Sequence, residues 1–157
     1  MSQEVRGNDA PFILNAVERA IIRVPRSSHH GLTKIPTAVK IAGRTYLDLS
    51  LLTDIDMSRL PEVVLAARLY HLAHTHQTLV VTGQCALWAH GYGSDPTLPS
   101  ITVAASSTIR PIVLPVIAIG AHTFAPLKVK ARHVCHLPAF SDTRGLLIEN
   151  LESAQIT

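Results

Sequence analysis

The charges of this chain are distributed unevenly, and this constrains its fold more than any single motif. Within Val63–Leu127 the charged residues are Arg68, Asp95 and Arg110. A stretch this poor in charge must be buried in a core or covered by a partner. Its longest uncharged apolar run, Pro111–Ala121, is far shorter than the roughly 20 residues of a membrane helix. We therefore expect a globular core without a membrane span, in one domain or two small ones.

The opposite composition is found nearer the start of the chain. Between residues 19 and 44 there are six cations and no acidic residue. Several Lys and Arg side chains together neutralise nucleic-acid phosphates and supply most of the non-specific affinity for nucleic acid. A solvated cationic face without a partner and an acidic protein partner are the alternatives. The residues predicted to contact double-stranded DNA are Arg19, Arg23, Arg26, Lys34, Lys40 and Arg44.

The basic segment is predicted to combine a helix with a hairpin. Pro11 precedes apolar residues at helical spacing, which predicts a helix over Phe12–Val24 that Pro25 ends. Lys34–Thr45 is predicted to be extended, with a turn at Gly43. A helix followed by a basic hairpin is typical of a fragment of a winged helix-turn-helix, although three helices cannot be counted before the hairpin.

The remainder of the chain, residues 61–157, predicts a small α/β module that follows a basic winged-helix-like segment of residues 1–60. Helices are predicted over Pro61–His76, which has a 3.6-residue apolar period and a proline in its first turn, and over Gln84–His90. We therefore expect an α+β fold whose module has a mixed sheet of four to five strands. Apolar runs predict its strands at Thr78–Thr82, Ile101–Ala104, Pro111–Ile119, Leu127–His136 and Gly145–Glu149.

One short pattern in the module resembles a known family. Val80–Gly91 (VVTGQCALWAHG) is similar to the signature of AbiEi-type antitoxin-like proteins, in which a strand is followed by Ser/Thr-Gly, Ala-Ala and His-Gly. Further matches are the strand Ile101–Val103 and the hairpin Lys128–His136. Since relatives often continue beyond the position of Thr157, the chain resembles a short or truncated member.

The resemblance implies a fold, a function and partners. Members of this family are transcriptional regulators of type IV toxin–antitoxin systems, with a winged helix-turn-helix before an α/β module. It therefore implies a cytoplasmic antitoxin that binds operator DNA through its basic segment. The operon would serve toxin–antitoxin function or phage defence, with a nucleotidyltransferase-type toxin as a partner. The first recognition helix of the family is not recognisable in this sequence.

The turn at Gly83 is also similar to the opening of nucleotidyltransferase folds, where a glycine turn approaches a nucleotide phosphate. Those enzymes hold Mg²⁺ with two or three carboxylates on the next strand. The equivalent strand here, Ser100–Val103, has no acidic residue, and Asp95 stands alone before it. We therefore expect no enzyme activity, no metal and no cofactor. A degenerate nucleotidyltransferase-like fold and a non-catalytic protein-interaction module are the alternatives.

Histidines and cysteines are the other candidates for chemistry. His71 and His74 lie three residues apart on a predicted helix, a spacing that zinc sites use. No third ligand of suitable spacing accompanies them, so we interpret them as histidines at a helix C-terminus, where a cation suits the helix dipole. Cys85 and Cys135 lack CxxC spacing and are expected to be reduced thiols of a cytoplasmic protein, with Cys85 buried and unreactive.

A second group of cations lies on the predicted strand Leu127–His136. Lys128, Lys130 and Arg132 alternate with apolar residues, so they share one face of the strand. This face is either a solvent-exposed sheet edge or a second contact with phosphate. We favour the edge, because cations on an edge strand oppose aggregation.

Overall fold

The computed structural model describes residues 9–25, 36–76, 78–93, 97–150 and 152. Helix α1 (Ala10–Ala20) has proline in its first turn. The apolar period predicts a helix as far as Val24, but α1 ends at Ala20 and Ile21–Arg23 forms strand β1. The reason is the pair of β-branched isoleucines, which favour a strand and pair with residues farther along the chain.

Strand β1 joins β2 (Ala38–Ala42) and β3 (Thr45–Asp48) in an antiparallel sheet with the order β1-β3-β2. The predicted turn at Gly43 is confirmed, since it connects β2 to β3. The predicted winged helix is not confirmed. In the described part of the chain a single α-helix precedes the hairpin, and residues 26–35, between β1 and β2, lie outside that part.

Helix α2 (Leu60–Thr75) is the centre of the core, and the helix predicted over Pro61–His76 is thereby confirmed. Two 3-10 helices, Leu49–Leu51 and Met57–Arg59, connect β3 to it. Every residue from 63 to 70 is buried, because the helix packs against α1 and both sheets. The hydroxyl of Tyr70 donates to the carbonyl of Leu14 in α1 at 3.2 Å, which fixes the two helices together.

Helix α3 (Gly83–Ala89) follows the first strand of a larger mixed sheet. In the described residues this sheet has six strands, so the prediction of four to five is wrong. The strands are β4 (Leu79–Val81), β5 (Ser100–Ala105), β6 (Ile112–Leu114), β9 (Leu127–His133), β10 (Phe140–Thr143) and β11 (Leu146–Glu149). Their order is β10-β11-β4-β5-β9-β6, and the β11–β4 and β5–β9 pairs are parallel.

The strands differ from the prediction in two places, and the second of these adds the sixth strand of the sheet. Pro111–Ile119 is not one strand, because β6 ends before Pro115, which cannot donate to a strand ladder. The chain continues as β7 (Ile117–Ile119), which forms a separate hairpin with β8 (His122–Phe124). The sequence does not predict strand β10, because this strand is mostly exposed and polar and lacks the apolar alternation that indicates a strand.

Strand β9 lies inside the sheet, between β5 and β6. The prediction that the cations of β9 occupy a sheet edge is therefore wrong for Lys128, which is paired on both sides. Lys130 and Arg132 are paired with β5 and lie beyond the three residues of β9 that are paired with β6. The side chains of all three cations are exposed. The sequence shows the alternation of the strand but not its position in the sheet.

Buried residues of α1, the N-terminal sheet and the larger sheet join α2 in one hydrophobic cluster, and the fold is α+β as predicted. The buried Arg68 of α2 holds the β7–β8 hairpin to this cluster. Its Nη2 donates to the carbonyls of Pro115 and Ala125 at 2.8 and 2.9 Å. Of the helices that the structure describes, none combines the length and the apolar character needed to cross a membrane.

Candidate functional site

The six cations predicted to bind DNA are distributed over several surfaces. Arg26 and Lys34 lie outside the described residues. Arg19 is exposed on α1, and Lys40 is exposed on β2. The remaining two, both arginines, line a common cleft with residues of α2.

This cleft has a volume of about 550 Å³ and lies between the end of β1, the β2–β3 turn and the last turns of α2. No carboxylate is found among the described residues that line it. Guanidinium, imidazole and hydroxyl groups are all able to donate hydrogen bonds to an anion. Its polar side chains are those of Arg23, Arg44, Thr45, His71, His74 and Thr75.

The strand register explains why Lys40 does not join the cleft. Residues directly opposite each other in an antiparallel pair share a face, and successive residues of a strand alternate between faces. Arg23 is opposite Thr45, a buried residue of the cleft wall. Lys40 is opposite Tyr46, the next residue of β3, and so lies on the other face. The charge of the basic segment is therefore divided between two faces of the N-terminal sheet.

The β2–β3 turn is held against α2 and β1. Gly43 has a φ of +53°, in the left-handed region that favours glycine. A Cβ added at this position would lie 3.6 Å from Cε1 of His71, so the turn lies beside the histidine ring. The carbonyl of Arg44 accepts a hydrogen bond from the backbone N–H of Val24 at 3.0 Å. These contacts fix the backbone that carries the Arg44 side chain.

The other side chains of the cleft are oriented by hydrogen bonds at the C-terminal end of α2. Arg23 Nη2 donates to the carbonyl of Tyr70 at 3.4 Å, near the negative end of the helix dipole. His71 Nδ1 and Thr45 Oγ1 are 2.7 Å apart. Thr75 Oγ1 donates to the carbonyl of His71 at 2.9 Å. Thr45 of β3 thus fixes the orientation of the His71 ring, while the backbone of His71 belongs to α2.

The surroundings of both histidines of the cleft favour the neutral ring, because they lower the pKa of each. Burial lowers the pKa of His71 from the ordinary value of 6.5, and the nearby His76, His74 and Arg23 lower it further. The pKa of His74 is also lowered, by burial and then by Arg23. These causes disfavour additional positive charge in an empty cleft. An anion in the cleft would reverse this preference and favour the protonated rings.

The turn between β4 and α3, which carries the family-like pattern, is closed by internal hydrogen bonds. Thr82 Oγ1 donates to the carbonyl of Thr102 at 2.9 Å. Gly83 has a φ of +62°, and its N–H donates to Oε1 of the buried Glu149 at 3.2 Å. His90 Nε2 lies 2.6 Å from the carbonyl oxygen of Glu149. The N–H group that would approach a nucleotide phosphate is therefore occupied by a carboxylate of the chain itself.

Cysteine and histidine chemistry at this turn is correspondingly limited. Cys85 is buried in α3, and burial raises the pKa of its thiol to about 12. The prediction of a buried, unreactive thiol is confirmed. Across the described ranges of the chain, no group of three or more His, Cys, Asp and Glu residues is placed to hold a metal ion. The histidines His71 and His90 instead form the hydrogen bonds given above.

Sequence reasoning finds the two arginines of the cleft but misses its other polar residues. The spacing of His71 and His74 is visible in the sequence, yet it indicates only that they share a helix face. Thr45 carries no signal of its own, because its role depends on the contact between β3 and α2. Glu149 is missed at the β4–α3 turn because the pairing of β11 with β4 brings it there from a distant part of the chain.

Comparison of the chain with protein families, curated proteins and solved structures gives no match. The resemblance of Val80–Gly91 to AbiEi-type proteins therefore stays a prediction. The geometry and the charge of the cleft are the observations that bear on function.

Proposed function

We propose that this protein is a non-catalytic DNA-binding protein that holds the phosphate backbone of duplex DNA in the cleft between β1, the β2–β3 turn and α2. The observation that carries this proposal is the set of donors around the cleft, which includes no carboxylate among the described lining residues. Phosphate contacts are typically made by Arg side chains, hydroxyl groups and helix or turn backbone. The cleft supplies the first of these types through Arg23 and Arg44.

The two arginines provide the charge for such contacts. Arg23 lies in β1 and Arg44 in the turn, so they approach the cleft from two backbone segments that a hydrogen bond holds together. A guanidinium matches the oxygens of a phosphate with two parallel hydrogen bonds. His71 and His74 add charge when they are protonated beside the bound phosphate. The cleft therefore becomes more positive on binding.

The wider biological role that we propose is transcriptional regulation by a cytoplasmic antitoxin. The ligand would be the operator DNA of a toxin–antitoxin or phage-defence operon, and a nucleotidyltransferase-type toxin would be the protein partner. This role is supported by the resemblance of Val80–Gly91 to AbiEi-type proteins. The pairing of β1 with the β2–β3 hairpin after α1 is compatible with a winged-helix-like N-terminal segment.

The test is a fluorescence anisotropy titration of duplex DNA with two matched double variants. Arg23→Gln/Arg44→Gln removes two charges from the cleft, and Arg19→Gln/Lys40→Gln removes two exposed charges of the same segment that do not line it. We expect the cleft variant to bind at least about tenfold more weakly, because it loses two phosphate contacts. Its logarithmic salt dependence should decrease by about 1.8, at roughly 0.9 for each contact.

The matched variant distinguishes a cleft from a general effect of net charge. We expect Arg19→Gln/Lys40→Gln to bind duplex DNA within about threefold of the parent protein, since it keeps the arginines that line the cleft. If both double variants lost the same amount of affinity for duplex DNA, the proposal would be contradicted, because the total charge would then determine affinity. Absence of duplex binding by the parent protein would refute it outright.

A further inference from the structure

Strand β9 presents cations on the face of the larger sheet that is turned away from α2. Lys128, Lys130 and Arg132 are exposed there. Leu127 and Val129, which alternate with them, are buried in the cluster that contains α2. Lys128 lies where β9 is paired with both β5 and β6, so edge protection does not account for it. Lys130 and Arg132 continue the same exposed row beyond the residues that are paired with β6.

The neighbours of these cations leave them without counter-charge. Thr102 of β5 is opposite Lys130, and both Ser100 of β5 and Val113 of β6 are opposite Lys128. These neighbours are uncharged. None of the ion pairs formed among the described residues includes a cation of β9.

The row of paired residues that runs across the sheet to Arg132 contains one acidic residue, Asp142. It is separated from Arg132 by four strand spacings, about 19 Å in all. At physiological salt this is more than twice the screening length of about 8 Å. The row, from β10 to β9, is Asp142, Leu147, Val80, Ala104 and Arg132.

The spacing of the three cations suits a polymer of phosphates. Alternate residues of a strand are ~6.7 Å apart. The three cations therefore form a row of about 13 Å on one face. Cations placed in a row can contact successive phosphates of one nucleic-acid backbone, and the neighbouring hydroxyl of Thr102 can donate to the same backbone.

We propose that the outer face of β9 is a second DNA-binding surface, which holds the phosphate backbone of a duplex through Lys128, Lys130 and Arg132. This proposal rests on the proposed function, because it takes duplex DNA as the ligand. It adds a second binding surface outside the cleft. The cleft is built on α2, and the β9 cations lie on the opposite side of the sheet. One molecule therefore holds two duplex segments.

A bridging assay tests this second surface. Biotinylated duplex on beads is saturated with the full chain, washed, and exposed to a second, fluorescent duplex. The parent protein is expected to capture the fluorescent duplex. Lys128→Glu/Lys130→Glu should stay on the beads through the cleft but capture at least about tenfold less, because charge reversal repels phosphate. The matched variant Arg19→Glu/Lys40→Glu should capture as much as the parent.

The outcomes separate the two proposals. If Lys128→Glu/Lys130→Glu captures as much fluorescent duplex as the parent, the second surface is refuted and the cleft is untouched. The same result would follow if bridging arose from two copies of the chain, each with its cleft, so self-association also overturns the proposal. If the parent is not retained by the first duplex, the proposed function itself fails. Exposed lysines leave the fold intact, which a thermal melt of each variant checks.

Discussion

The cleft at the end of α2 and the turn between β4 and α3 contain similar residues but use them differently. Each has a glycine with positive φ, a threonine and a histidine. At the β4–α3 turn the polar groups bond to one another, and the buried Glu149 accepts from Gly83. In the cleft the arginines face a volume of about 550 Å³ that contains no side chain to neutralise them among its described lining residues.

This difference indicates that residue type does not identify a binding site by itself. A motif whose donors are all satisfied within the chain stabilises the fold, since buried polar groups need hydrogen-bond partners. A site for a ligand keeps donors that the chain leaves available. Thr82, Gly83 and His90 of the family-like pattern are bonded within the chain in this way. The guanidinium groups of Arg23 and Arg44 keep donors that face the cleft.

The largest expected effect concerns the closed turn. Gly83→Val should lower the free energy of unfolding by about 1–3 kcal/mol, because a β-branched residue at a φ of +62° is strained even though nothing lies within 4 Å of the added Cβ. Urea denaturation measures this change. The affinity of the folded variant for duplex DNA should equal that of the parent protein, since the turn lies outside the cleft and its Gly83 N–H is bonded to Glu149.

Gly83→Ala is the control for this substitution. It introduces the strain of positive φ without the branched side chain, so its cost should be smaller, about 1–2 kcal/mol. A valine variant with the urea midpoint of the parent would show that the turn is not constrained as described. A valine variant that folds but loses DNA binding would indicate that DNA binds at the β4–α3 turn and not in the cleft.

A smaller effect should appear in the pH dependence of the cleft. Because the pKa of His71 is lowered in the folded protein, the unfolded chain binds more protons below pH 6.5. Stability should therefore decrease as the pH falls from 6.5 toward the lowered pKa. Affinity for duplex DNA should increase by a few-fold over the same interval, since bound phosphate favours protonated His71 and His74. Urea denaturation and anisotropy measure the two trends.

His71→Gln/His74→Gln is the control for this pH dependence. Glutamine keeps hydrogen-bonding capacity but does not titrate, so both trends should become weaker. Affinity that is independent of pH in the parent protein would mean that the histidines do not meet the phosphate. The lowered pKa of His71 would then reflect only its burial and its neighbours in the cleft wall.

Local sequence signals predict much of the fold. The period and the first-turn proline of α2 predict its ends to within a residue. Strand β4 and helix α3 follow from an apolar run and a glycine turn. The exposed strand β10 has no such period, and the position of β9 inside the sheet depends on pairing between distant segments. Such pairing is decided by tertiary packing, so the strand count and the edge of the sheet are the predictions that fail.

The sequence predicts only part of the cleft, because the rest of it depends on contacts between distant segments. A run of cations indicates a basic surface, and Arg23 and Arg44 belong to that run. The register of β1, β2 and β3 decides that Arg23 lies on the face of the cleft while Lys40 does not, and the β2–β3 turn places Arg44 there. His71 enters the site because the hairpin packs on α2, a contact that no local pattern contains.

Amide hydrogen exchange with and without duplex DNA tests the contrast between the two regions most directly. DNA should slow exchange at residues 23–25, 43–45 and 71–75, whose backbone frames the cleft. Residues 82–84 at the closed turn should exchange at the same rate with and without DNA. Protection at residues 82–84, with none around the cleft, would contradict the assignment of the DNA-binding site.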